Sequence, residues 1–138
     1  MSLPPIPLIE EITNGIKIPR VLLQLENDEG RKREYEFGVD AIQESLAQMI
    51  EGKIYGGFVS NEFPYIAGKQ LAEFVCPRIA ADSEFLFAAL DISLMSPYPG
   101  WHFYLILLEI ENTGFQPKRQ KTYMVLLLIF RSIRMACF

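Results

Sequence analysis

Hydrophobic and polar positions alternate with a period of two from Ile16 to Glu26. Val21, Leu23 and Leu25 fall on one face, Arg20, Gln24 and Glu26 on the other, with Leu22 the exception. Such alternation marks a half-buried strand. Pro19 brings no backbone N–H, so this strand is expected at a sheet edge or with a bulge. Asn27-Asp28-Glu29-Gly30 reads as a turn, and Arg31–Phe37 returns as a second strand in which Tyr35 and Phe37 alternate with Lys32, Glu34 and Glu36. Upstream, residues 1–15 carry prolines at 4, 5 and 7. They read as an irregular lead-in closed by the turn pair Asn14-Gly15.

The period then changes. Ile42, Leu46, Met49 and Ile50 recur at i, i+4, i+7 and i+8, which predicts an amphipathic helix over 40–51. Asp40 with Gln43 three residues later resembles a capping box, and Gly52 supplies a stop. Lys53–Tyr65 is rich in glycine and aromatic residues and reads mainly as loop, with a short strand from Tyr55 or Phe58 to Ser60. A shorter helix is expected at 67–75, with Leu71, Phe74 and Val75 on one face, ended by Pro77.

Beyond it the pattern suggests a β-meander. Phe85–Leu90 suits a helix capped by Ser83, but Leu90, Ile92 and Leu94 alternate with Asp91 and Ser93 as in a strand. Trp101–Glu111 follows the turn-rich Ser96-Pro97-Tyr98-Pro99-Gly100, and its apolar run Phe103–Leu108 suggests a central strand buried on both faces. Asn112–Lys121 is a polar loop, and Thr122–Arg131 a last apolar strand or buried helix. The expected fold is therefore α+β: a mainly antiparallel sheet of about five strands, with one or two helices packed on one face. Without an internal repeat or linker, residues 1–138 are expected to form a single domain.

Composition supports a packed core. Apolar residues make up 50% of the 138 residues and charged residues 22%, unlike the low hydrophobicity and high net charge of disordered chains. Charge is unevenly placed. Residues 1–114 hold eight basic and 17 acidic residues, net −9, while residues 115–138 hold five basic residues and no acid. This C-terminal segment is both basic and apolar. Such a segment either contacts nucleic acid or an acidic membrane surface, or balances its own acidic body. An abrupt shift after Gly114 is also what a change of reading frame would produce. The N-terminus has no cationic region of a secretory signal, and the longest apolar run, Tyr123–Phe130, is eight residues, against about 20 for a membrane span. With two cysteines and no export signal, a cytoplasmic location is expected.

Chemistry-bearing motifs are sparse. There is no G-x-G-x-x-G, and Gly68-Lys69 lacks both the upstream glycine and the following Ser/Thr of a phosphate loop. His102, Cys76 and Cys137 have no metal-ligand spacing. Asn27-Asp28-Glu29-Gly30 is followed by Arg31-Lys32-Arg33, which would repel a cation. No metal and no cofactor is expected. An imidazole-based nucleophile must use His102, with Cys76, Ser93 or Ser96 as partner, yet no activating motif surrounds them. Asp91, Glu109 and Glu111 form no specific pair. The basic loop Gln116–Lys121 reads as solvated.

The most site-like stretch is aromatic. Tyr98, Trp101, His102 and Tyr104, beside a proline-rich turn, are the expected partner or ligand contacts, because aromatic side chains bury large area at low entropy cost. Three functional classes follow. The first is a non-enzymatic interaction or accessory protein that binds a protein partner or a second copy of itself. The second is a small-molecule-binding domain or minor enzyme with a pocket between helix 40–51 and the sheet. The third is a peripheral membrane or nucleic-acid contact through the basic C-terminal segment. With no catalytic constellation in view, the first is favoured. An open apolar patch fits it, whereas a deep pocket with polar groups converging on His102 fits the second.

Overall fold

The computed structural model describes residues 4–26, 29–55, 66–114, 126–129 and 131. Among these, strands β1 (Ile6–Ile12), β2 (Ile16–Glu26) and β3 (Lys32–Glu36) form one antiparallel sheet in the order β1-β2-β3. Six helices accompany it: a 3-10 turn at Thr13–Gly15, then α1 (Val39–Tyr55), α2 (Ala67–Val75), α3 (Pro77–Ala80), α4 (Ser83–Ser93) and α5 (Pro99–Thr113). Residues 126–129 are also helical, and Leu126 is buried. The fold is α+β, but its proportions reverse the expectation of five strands and one or two helices.

The reversal comes from 83–113. In α4, Phe85, Leu86, Ala88, Ala89, Leu90, Ile92 and Ser93 are all buried. A helix covered on most sides shows apolar residues at nearly every position, so the apparent alternation of Leu90 and Ile92 carries no strand information. Asp82, not Ser83, is the cap: its carboxylate accepts the Phe85 N–H at 3.1 Å. In α5 the buried Phe103, Ile106, Leu107 and Ile110 follow the spacing i, i+3, i+4, i+7 of one helical face. Pro99 opens the helix, and Gly114, at φ 70°, closes it with its N–H on the Ile110 carbonyl at 3.1 Å. Its 15 residues also exceed a usual strand of about five or six.

Residues 6–12, expected to be irregular, pair with β2 from Ile6 opposite Leu22 to Ile12 opposite Ile16. Ile12 opposite Ile16 leaves a three-residue connection, in which Asn14 and Gly15 both have positive φ, 71° and 75°, a backbone that Asn and Gly adopt most readily. Backbone parity explains why the prolines do not prevent this. The Phe37 N–H donates to the Val21 carbonyl at 2.8 Å, so Val21 directs its backbone groups towards β3. Pro19, two residues earlier, points the same way. Pro7, opposite Val21, points outward from the sheet. Neither proline removes a bond between β1 and β2. Moreover β3 begins its pairing only at Leu22 opposite Glu36, so Pro19 lies in the middle strand at a place that is locally an edge.

Other differences are small. α1 starts one residue before Asp40, with the Gly38 carbonyl accepting the Ile42 N–H at 3.1 Å, and Asp40 sits in the first turn beside the positive end of the helix dipole. It runs through Gly52 to Tyr55. α2 has the expected bounds, and Pro77 both ends it and opens α3. α5 lies against one face of β2, where Pro19, Val21 and Leu23 are buried, and the Phe37 and Phe103 rings meet at 5.5 Å between centroids. Tyr55 ends α1, so no strand begins there; residues 56–60, the basic loop 116–121 and Cys137 lie outside the described residues, as does most of segment 115–138.

Candidate functional site

One close approach organises the surface next to the sheet. At Phe37 the chain leaves β3, and Gly38 carries it into α1. Gly100, in the first turn of α5, sits directly on that bend: a Cβ there would lie 1.7 Å from the Phe37 carbonyl oxygen. Only glycine admits the contact. It brings the corner joining α4 to α5 against the place where β3 stops.

The corner is locked by its own polar groups. Successive tight turns follow α4, with the N–H groups of Leu94, Met95 and Ser96 on the carbonyls of Asp91, Ile92 and Ser93. Ser96 Oγ accepts the Tyr98 N–H at 3.0 Å and is hydrogen-bonded to His102 Nδ1. The same ring nitrogen lies 3.2 Å from the Tyr98 carbonyl. Accepting from the Ser96 hydroxyl, or donating to the Tyr98 carbonyl as Nδ1–H, the imidazole ties the first turn of α5 to Ser96-Pro97-Tyr98. His102 is buried on a helix, not on the face or rim of a strand. Of its three suggested partners the structure brings only Ser96 to it. Ser93 Oγ donates to the Ala89 carbonyl at 2.7 Å. Cys76 lies beside Arg78 and Glu111, which belong with the opposite end of α5. Its burial, with the Glu111 carboxylate as a second cause, pushes the thiol pKa up, away from the thiolate a nucleophile needs.

Between this corner and the sheet runs an open cleft of about 390 Å³. Ile18, Pro19 and Arg20 of β2 form one wall, Glu36 marks the end of β3, and Tyr98 and Trp101 form the other wall. Phe37, Gly38 and Gly100 also line it. Of the aromatic stretch, Tyr98 and Trp101 are half-buried on the cleft. His102 stands behind Ser96, outside the lining. Tyr104 packs against Trp101 with the rings tilted and their centroids 5.9 Å apart, also outside the lining. Val39 is the residue of α1 that reaches it.

The charge of the cleft is shared unequally. Arg20 reaches Glu10 at 2.7 Å on β1 and Glu36 at 3.4 Å on β3, and its pKa is raised by these carboxylates, Glu10 foremost. One cation between two carboxylates leaves a net negative charge. Glu36 retains about half its side-chain exposure. Neither acid was singled out by sequence. Their meeting depends on β1 pairing, which the prolines concealed, although Arg20 opposite Leu8 follows at once from that register. A second recess, lined by Glu26, Arg31, Lys32, Arg33 and Tyr35, lies on the β2–β3 hairpin away from Tyr98 and Trp101.

Among the described residues no group of three or more His, Cys, Asp or Glu side chains has the geometry to hold a metal ion, and no helix is long and apolar enough to cross a membrane. No protein-family model, curated protein or solved structure matches the chain.

Proposed function

We propose that this protein works by binding a segment of a partner protein in the cleft between the end of β3 and the α4–α5 corner. The observation that carries the reading is the pair Tyr98 and Trp101, held half-buried on an open surface by a corner whose own hydrogen bonds are internal. Rigid aromatic side chains beside prolines are good anchors, because little conformational entropy remains to be lost on binding. His102 is engaged in the scaffold and does not line the cleft, which favours recognition over catalysis.

A second reading rests on size. A volume of about 390 Å³ lies within the range of small-molecule sites. A photo-crosslinking residue at Pro97 of the full chain, expressed in its native cell, separates the two, with Glu73 on α2 as the control position. Partner binding predicts a covalent protein adduct from position 97, absent from position 73, that maps to one segment of the partner. Equal adducts from both positions, or none from 97, would exclude the proposal. A small metabolite retained by the purified chain and displaced by Trp101→Ala would support the second reading.

A further inference from the structure

The cleft contains more than an aromatic wall. Odd-numbered residues of β2 direct their backbone groups towards β3, as the bond from the Phe37 N–H to the Val21 carbonyl establishes. β3 ends opposite Leu22, so from Lys17 to Pro19 no strand among the described residues lies on that side of β2. Exposed Lys17 presents an N–H and a C=O along this half-edge, whereas Pro19 is buried and has a C=O alone. An unpaired edge is a template for another extended chain. The proline limits this one to a short addition with at most three main-chain hydrogen bonds, which blunts the edge against indefinite sheet growth. A segment laid there would continue the line of β3 directly under Tyr98 and Trp101.

The charge of the site selects its occupant. Glu10 and Glu36 share the single guanidinium of Arg20, and Glu36 and the half-buried Trp101 both face the cleft. A carboxylate together with an aromatic face favours a cationic side chain through ion pairing and cation–π attraction. The body as a whole is acidic, net −9 over residues 1–114, which steers a cationic partner towards it. We infer that the partner segment is a short, extended, basic strand that adds to β2 at Lys17–Pro19 and places a lysine or arginine between Glu36 and Trp101. This rests on the cleft being the binding site and names what enters it.

Trp101 is the single tryptophan of the chain, so its fluorescence reports on the cleft directly. The full chain is titrated with four capped octapeptides: alternating Val-Lys, alternating Val-Glu, alternating Val-Ser, and Val-Lys with alternate backbone amides N-methylated. The Val-Lys peptide is expected to shift Trp101 emission, to bind about 10-fold tighter than Val-Ser, and to weaken as salt rises. Glu36→Gln is expected to reduce that affinity by about 5-fold, the upper range for one exposed ion pair. N-methylation is expected to weaken it similarly, and the Lys17 amide resonance is expected to move on binding of the unmethylated peptide.

Pro19→Val restores a donor to the half-edge and is expected to tighten binding of the Val-Lys peptide, a change that a purely structural role for Pro19 does not produce. Equal binding of Val-Glu or Val-Ser would overturn the cationic occupant, and equal binding of the N-methylated peptide would overturn strand addition. Silence of Trp101 and Lys17 towards every peptide would overturn the inference as a whole. In each of these cases a mapped crosslink from position 97 leaves the cleft itself standing as the partner site, so the two failures are told apart.

Discussion

The helical layer and the β1–β2 hairpin use similar side chains to opposite ends. Along α4 and α5, Phe85, Leu90, Phe103, Ile106, Leu107 and Ile110 are almost wholly withdrawn from solvent. On the hairpin, Ile9 in mid-β1 and Ile16 beside the turn remain 59% and 53% exposed. The sheet contributes Val21, Leu23 and Phe37 to the core only where α5 lies against it, and β1 and the start of β2 extend past the helices. Free energy of folding scales with apolar area removed from water. Stability is therefore concentrated where α4 and α5 pack, and the outer hairpin, like Ile50 and Ile54 of α1, is left exposed. The cleft sits on the seam between the two.

The largest test of this division is Phe103→Ala. The ring is fully buried against Phe37, and its loss is expected to cost about 3–5 kcal/mol in chemical denaturation. A cost below about 1 kcal/mol would mean that the helical layer is not the core. Gly100→Ala comes next. The added methyl meets a backbone oxygen, which yields less readily than a side chain, so the cost is expected near the top of the overpacking range, about 3 kcal/mol. It should also displace α5 from the end of β3 and alter Trp101 fluorescence. An unperturbed, equally stable variant would show that the corner does not rest on Phe37.

A smaller effect concerns pH. The buried Cys76 thiol has a raised pKa in the folded chain. Below the ordinary thiol value of about 8.5 both states keep the proton and the contribution is intact. As pH rises past it the unfolded chain ionises first, so stability declines until the folded pKa is passed. Cys76→Ala is expected to flatten that alkaline decline when midpoints are compared between pH 7 and 10; an unchanged slope would contradict the assignment. Least affected should be Ile16→Thr at the exposed end of β2, within about 0.5 kcal/mol of the parent. A loss of several kcal/mol there would erase the contrast between the two regions.

Legibility along the chain follows the same division. The period-two pattern of Val21, Leu23 and Leu25 reports a strand with one face covered, and the bounds of α2 follow from a clean stripe ended by proline. The run Phe103–Leu108 sits in a helix covered by neighbours on several sides, where strand and helix patterns converge. The aromatic stretch is visible as a group, but a strand, as expected from its apolar run, would set Trp101 and His102 on opposite faces and Trp101 and Tyr104 likewise. On the helix Trp101 and Tyr104 lie three residues apart and their rings meet at a tilt, while His102 turns inward to Ser96. Arg20, Glu10 and Glu36 were individually unremarkable because their meeting depends on two strand registers at once.

By itself the sequence determined the β2–β3 hairpin, the amphipathic stripes of α1 and α2, the turn at Asn14-Gly15 and the acidic character of residues 1–114. Each is written in local spacing or composition. Tertiary structure alone decided that Pro7 and Pro19 point away from the β1–β2 ladder. It also decided that 83–113 is helical and that Gly100 rests on Phe37 to open the aromatic cleft. The physical reason is that these outcomes depend on which neighbour covers a segment, and a buried apolar run carries no record of its own geometry until that neighbour is in place.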